Sequence, residues 1–298
     1  MPRGKRPRKR SRALGDSTRG LTIRAIAVVV VLACATHASP TAAQESPSPA
    51  RDESSLQDLA KEHKNPLTQS PNVQFQLAAG FGAGAEHRTG ESFNLQPVLP
   101  FPVTPGWSVI ARPSLSVTHT PPPDEQFGLQ DLQLPLYLTP TDTDRWLWGA
   151  GPIFQFPSAT PSGLGTGKWS GGPSGALLYS NGPWFNGVLV SHLWSFGGDR
   201  DRAAVNQTSI ELLASYNFES GWFLQFHPVN TYDWTADSGN AWTVPVGLDV
   251  GRVFVLGERA ISVQLGAYKT VVRPEGAPGW VVRAQIQFSF SPRDWFKQ

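Results

Sequence analysis

Four tryptophans recur just past tight-turn signals at a nearly fixed step. Trp107 follows "TPG", Trp146 follows "DTDR", Trp184 follows "SNGP" and Trp222 follows "ESG", at intervals of 39, 38 and 38 residues. An aromatic at the same point of each unit implies a repeating backbone element whose turn end always meets the same environment. From Asn72 onward the pattern is strand-turn-strand, with apolar and polar residues alternating at the period of a half-buried strand. In "WFLQFHPVNTYDW", Trp222, Leu224, Phe226, Tyr232 and Trp234 share one face, and Gln225, His227, Thr231 and Asp233 the other. In "SIELLASYNF", Ile210, Leu212, Ala214, Tyr216 and Phe218 oppose Ser209, Glu211, Ser215 and Asn217. In "WVVRAQIQFSF", Trp280, Val282, Ala284, Ile286, Phe288 and Phe290 oppose Arg283, Gln285, Gln287 and Ser289.

About twelve such segments start near residues 72, 91, 107, 127, 146, 169, 184, 206, 222, 242, 260 and 280. Their connections alternate in character. Those near 102–106, 140–145, 181–183, 219–221 and 256–259 are mostly short. Those near 85–90, 120–126, 157–168, 197–205, 234–241 and 273–279 form the other set, mostly longer and rich in Gly, Pro, Asp and Ser. One set of turns and one of loops on opposite ends is the product of up-and-down antiparallel connectivity, and the step of about 38 residues is then one hairpin. The predicted fold is all-β: an up-and-down antiparallel transmembrane β-barrel of about 12 strands, with short periplasmic turns and longer external loops. Trp107, Trp146, Trp184 and Trp222 form the girdle at the turn end, where an amphipathic ring favours the headgroup level, and Trp169, Trp242 and Trp280 form the girdle beside the loops. A soluble sandwich also alternates, but gives its turns no reason to carry tryptophan repeatedly. A β-propeller repeats at a similar period, yet no blade signature is present and twelve strands would make only about three blades.

The ends of the chain differ from this body. Residues 1–43 hold nine of the 25 basic residues and one of the 23 acidic ones, so the remainder carries 16 basic against 22 acidic residues, a net charge of about −6. The body therefore lacks the basic surface that nucleic-acid binding needs. A basic leader, the 11-residue apolar run Ala25–Ala35 and the small residues ending in "TAA" read as a signal peptide cleaved after Ala43. The alternative is lipid modification of Cys34, the only cysteine. A mature chain without cysteine has no disulfide and no thiolate metal site. Residues 44–71 are rich in Ser, Pro and charge, and read as a flexible periplasmic segment with a short helix within Leu56–Lys64, a tether in preference to the alternative, a plug that obstructs the lumen. The barrel domain is placed at 72–290, and 291–298 is a C-terminal extension.

The run "NLQPVLPF", "LGTGKWSGGPSGALL", "NGPWFNGVLVSHLWSFGGDRDRAAVNQ", "WTADSGNAWTVPVGLDVGRVF" and "VVRPEGAPGWVVRAQIQFSF" resembles a large family of Gram-negative outer-membrane β-barrel transporters, related to the family named after the MetA pathway of phenol degradation. The likeness spans about residues 55–290 and implies a fold, an outer-membrane location and a transport role. It implies no catalytic or binding residues. Two features depart from such barrels. The alternating stretch ends at Phe290, ahead of "SPRDWFKQ", where a terminal aromatic is usual. Prolines also fall inside most predicted strands: Pro97, Pro113, Pro135, Pro152, Pro173, Pro228 and Pro245. Pro113, Pro152 and Pro228 each lie six residues after a girdle tryptophan, which predicts that they face lipid at a common height.

The chemical motifs are weak. "GFGAG" at 80–84 has no helix after it and reads as small residues in a crowded strand. "GLGTGKWS" has Trp169 where a phosphate-binding loop needs a hydroxyl residue. "GGDRDR" and "TDTD" fall short of a calcium loop, so no metal or other cofactor is expected. Candidates for lipid-cleaving chemistry are His119, His192 with Ser191, and His227. Ser191 and His192 are strand neighbours that point to opposite faces, so catalysis is not expected.

Extending the alternation turns Arg112, Asp131, Glu211, His227, Asp249 and Arg283 inward. They are candidate lumen residues, either a solute pathway or a salt-bridge network that fills a narrow bore. Three functions compete: a channel for small solutes, which the family's name suggests are aromatic or hydrophobic; a closed structural or interaction barrel; and a lipid-modifying enzyme. The partners expected of the first are outer-membrane lipids, a small-molecule solute and the outer-membrane assembly machinery.

Overall fold

The computed structural model describes residues 55–84, 86–257 and 259–290; the expected signal peptide, Cys34 and the 291–298 extension lie outside them. Fifteen strands among these residues make twelve antiparallel crossings. They are β1 (Asn72–Ala83), β2 (Arg88–Thr104), β3 (Trp107–Ala111) continued by β4 (Leu115–Thr120), β5 (Gln126–Leu129) continued by β6 (Leu132–Pro140), and β7 (Trp146–Phe156). After them come β8 (Lys168–Asn181), β9 (Trp184–Gly198), β10 (Asn206–Asn217), β11 (Trp222–Phe226) continued by β12 (Val229–Asp233), β13 (Trp242–Leu256), β14 (Arg259–Val272) and β15 (Trp280–Ser289). The last strand returns to the first: β15 pairs with β1 from Asn72↔Ser289 to Phe81↔Trp280. The sheet is therefore a closed barrel without an edge.

Alternation sets the two faces, and it does so even on β9, a stretch whose alternation is less clean in the sequence and gives no facing there. On β9, Trp184, Val190 and Trp194 are exposed on the outer wall while Phe185, Leu189 and Leu193 are buried inside. Trp107, Trp146, Trp184 and Trp222 are the first residues of β3, β7, β9 and β11. Trp242 and Trp280 open β13 and β15, and Trp169 is second in β8. All seven are 38–57% exposed on the outer wall. Trp148, Trp194 and Trp234 are also exposed, although the sequence assigns none of them to a girdle.

The prolines are absorbed in different ways, and the common lipid-facing height expected for three of them is not found. Pro152 is exposed, Pro113 is half-buried and Pro228 is fully buried. Pro113 and Pro228 sit in interruptions, between β3 and β4 and between β11 and β12. There neighbouring N–H groups keep partners: Arg112 N donates to the Pro135 carbonyl and Leu212 N to the Pro228 carbonyl. Pro245 lies at a register shift in the β13–β14 ladder. Pro152 and Pro173 face each other across β7 and β8, so both missing donors fall at one place.

Close backbone approach near that place demands glycine. A Cβ on Gly172 would overlap the His192 carbonyl oxygen, whereas one on loop residue Gly239 would meet nothing. Gly172→Ala should therefore lower the thermal stability of the folded barrel by roughly 1–3 kcal/mol, the usual cost of overpacking. Gly239→Ala should leave it unchanged. Circular-dichroism melts of the two refolded variants decide this.

Candidate functional site

The helix expected in the N-terminal segment is α1 (Leu56–Lys64). Ser55 caps it by accepting a hydrogen bond from Asp58 N at 3.1 Å, and an Asn65 turn ends it, with Oδ1 accepting from Leu67 N at 2.9 Å. The segment is docked inside the turn end of the barrel. Gln57 Nε2 donates to Asn217 O at 2.9 Å, and Lys61 Nζ donates to Gly182 O in the β8–β9 turn at 3.2 Å. Further in, His63 Nε2 meets Ser289 Oγ at 2.8 Å. Leu67 lies over Gly149 and Tyr137 and joins a buried cluster with Ile110, Leu178, Phe185 and Leu213. These apolar side chains point inward, against the polar-in rule of an empty bore, because the segment fills that end.

Lys64 is the head of the segment. It is 7% exposed, its Nζ donates to Gln264 Oε1 at 3.0 Å, and it stands 3.5 Å from the centroid of the Phe223 ring. Burial pushes its ammonium down from the usual 10.5 to about 7, partly opposed by the Asp249 charge. Burial likewise holds His63 down to about 3, with the Lys64 charge adding to the effect.

Beyond Lys64, five of the six lumen candidates come together. Asp249 is fully buried and accepts from Arg283 Nε at 2.8 Å, from an Arg283 terminal nitrogen at 2.6 Å and from the Tyr268 hydroxyl at 2.5 Å. The same Arg283 nitrogen donates to the His227 carbonyl at 3.2 Å. Glu211 Oε1 lies 2.7 Å from His227 Nε2 and 3.9 Å from an Arg112 terminal nitrogen. Asp131 stands apart at the loop end. It accepts from Ala159 N, Thr166 N and Thr166 Oγ1 at 3.2, 2.6 and 2.8 Å, and so ties the 157–167 loop to the wall. Arg202 clasps the same loop through the Gly165 and Thr166 carbonyls. Tyr268 and Lys64 belong to the central network and were missed. The inward parity of Tyr268, two residues from Gly266 opposite Asp249, was the available signal for the first.

Above this constriction the loop end opens into a cavity of about 530 Å³. Its walls include Ala78, Gly80, Gly90, Leu164 and Pro278, so the "GFGAG" stretch serves to widen the bore.

The histidines considered for catalysis have other partners. His119 meets Glu125 at 2.9 Å in an exposed position, and His192 lies on the outer wall, bonding Thr208 at 2.8 Å and stacking on Trp194. Among the described residues no group of three or more His, Cys, Asp or Glu could hold a metal ion.

Among solved structures the chain is similar to an outer membrane channel from Pseudomonas putida F1. The two share 15% identity over 74% of this chain and 94% of that one, with a TM-score of 0.57. The NanC porin aligns at 12% identity over 74% of this chain and 100% of the porin, with a TM-score of 0.48. The first likeness establishes the fold, a closed antiparallel β-barrel of twelve crossings. No protein-family model matches the chain, and no curated protein does, so the likeness to the MetA-pathway family rests on the quoted residues alone.

Two outcomes follow from the network. Arg283→Met leaves the Asp249 carboxylate buried and unpaired, and should destabilise the barrel by roughly 3–5 kcal/mol in denaturant titrations. Arg283→Met with Asp249→Leu should recover much of that loss. The second outcome concerns Lys64, whose docked pKa lies below its free value. Docking is therefore most stable above about 10.5 and weakens as pH falls towards about 7. Protease sensitivity of the N-terminal segment should rise over that descending range in the wild type. The Lys64→Met variant should lack this dependence.

Proposed function

We propose that this chain is an integral outer-membrane β-barrel that passes small solutes through a lumen gated at its turn end by residues 55–71. The observation that carries this reading is the closed barrel with an aromatic, apolar outer wall and a polar, charged interior. A closed sheet satisfies its own backbone groups in hydrocarbon. On this reading Trp107, Trp146, Trp184 and Trp222 mark one membrane interface and Trp169, Trp242 and Trp280 the other. Outer-membrane lipids contact this wall, the assembly machinery inserts it, and an N-terminal signal peptide exports it. Solutes enter from the loop-end chamber and meet Arg112, Glu211, His227, Asp249 and Arg283 at the constriction. The family resemblance implies aromatic or hydrophobic solutes, and the small and apolar chamber walls support that choice.

A second reading, a permanently closed structural barrel, is favoured by one observation: Leu67 is built into an apolar cluster with buried side chains from six strands. Conductance of the refolded mature protein in a planar bilayer separates the two, measured with and without residues 44–71. Current steps that appear or grow on truncation are expected. Silence in both forms would overturn the channel reading and leave the filled barrel. In the truncated form, Arg112→Gln should shift the reversal potential towards cation preference.

A further inference from the structure

A small cavity of about 30 Å³ remains where the docked segment meets the constriction. Lys64, Arg112 and Glu211 bound it, together with the amides of Gln74, Gln225 and Gln285. Arg112 is the least compensated group there. It is 5% exposed, its Nε is buried without a hydrogen-bond partner, and its nearest carboxylate contact is 3.9 Å long. The carboxylate oxygen nearest to it already has a closer partner, and the other carboxylate is fully engaged. Glu211 Oε1 is held by His227 at 2.7 Å, and both Asp249 oxygens are taken by Arg283 and Tyr268.

The charges do not balance. Below about pH 7, where Lys64 carries its proton, Lys64, Arg112 and Arg283 face Glu211 and Asp249, leaving one positive charge in excess. An uncompensated cation in an enclosed site is costly unless a counter-charge joins it. The space suits a small one, since a cavity of this size holds about one or two water-sized guests. Gln225 borders it with Oε1 buried and unpartnered, and a flipped amide would present N–H to the guest.

We propose that this cavity is a small-anion site, in which Arg112 and Lys64 hold a halide ion or a compact carboxylate that completes the charge balance of the plugged barrel. The proposal concerns the docked state and holds whether or not the barrel conducts.

The test uses the full mature protein in detergent, buffered below the pH of about 7 at which docked Lys64 gains its proton. Melting temperatures are compared in sodium bromide, sodium formate and sodium gluconate at matched ionic strength, because gluconate is too large for the cavity. Bromide should raise the melting temperature saturably above gluconate, as a ligand selective for the folded state does. Crystals grown in bromide should give an anomalous peak between Arg112 and Lys64. If formate reproduces the shift, the site accepts carboxylate groups such as those of small organic solutes; if bromide alone acts, the occupant is an inorganic halide. Arg112→Gln should abolish the bromide shift. Identical melts in bromide and gluconate, or a bromide shift that persists in Arg112→Gln, would overturn the proposal. The wild-type comparison and the anomalous map stand even if that variant fails to fold.

Discussion

Pairing of the last strand with the first is the constraint on which the rest of the structure depends. Ten register pairs join β15 to β1, and through them a sheet that would otherwise expose two edges becomes one without any. Closure fixes an even number of crossings for an up-and-down chain and puts all the turns at one end. It also gives every residue one of two destinations, wall or bore. The prolines are tolerated because the ladder is locally rearranged around them. Where β3 and β11 stop, the N–H groups of Arg112 and Leu212 find the carbonyls of Pro135 and Pro228 on neighbouring crossings. A closed sheet with a few re-paired interruptions keeps its backbone satisfied, as a hydrocarbon environment requires.

The bore solves a different problem at each height. At the turn end it is filled by chain, so Ile110, Leu178, Leu213 and Phe223 can point inward and pack on Leu67 or beside Lys64. At mid-height it holds buried charge, and the two carboxylates there are unequal. Asp249 is saturated by Arg283 and Tyr268 and acts as a rivet across β13, β14 and β15. Glu211 is shared between a close histidine and a distant arginine. The loop end is kept open by small residues on β1 and β2.

Strand number, most of the facing and the outward position of the seven strand-end tryptophans were legible in the sequence because each rests on a local rule of period two or on turn chemistry. The five-residue cluster was legible for the same reason: Arg112, Glu211, His227, Asp249 and Arg283 share inward parity. Asp131 has that parity too, yet sits at a strand interruption where its carboxylate is used by the 157–167 loop, and parity says nothing about height along the bore. The docking of Lys64 and Leu67 was not legible, since a short Ser- and Pro-flanked helix carries no sign of what it will touch. A trace of it existed in the barrel itself. Leu213 and Phe223 are apolar at inward positions, an anomaly that only an occupant of the bore removes.

The composition of the docked segment bears on whether it can leave. A segment held only by Leu67 and its apolar neighbours would gain from burial at every contact and behave as part of the core. This one also carries a lysine inward, onto an aromatic face and a glutamine, 200 residues away in sequence from that glutamine. Desolvating that ammonium opposes docking, as the depression of its pKa to about 7 records. The apolar anchor and the buried cation thus work against each other, and their difference is smaller than either. On the channel reading that balance is what a gate needs: a seat firm enough to close the bore, and a charge whose rehydration helps to release it.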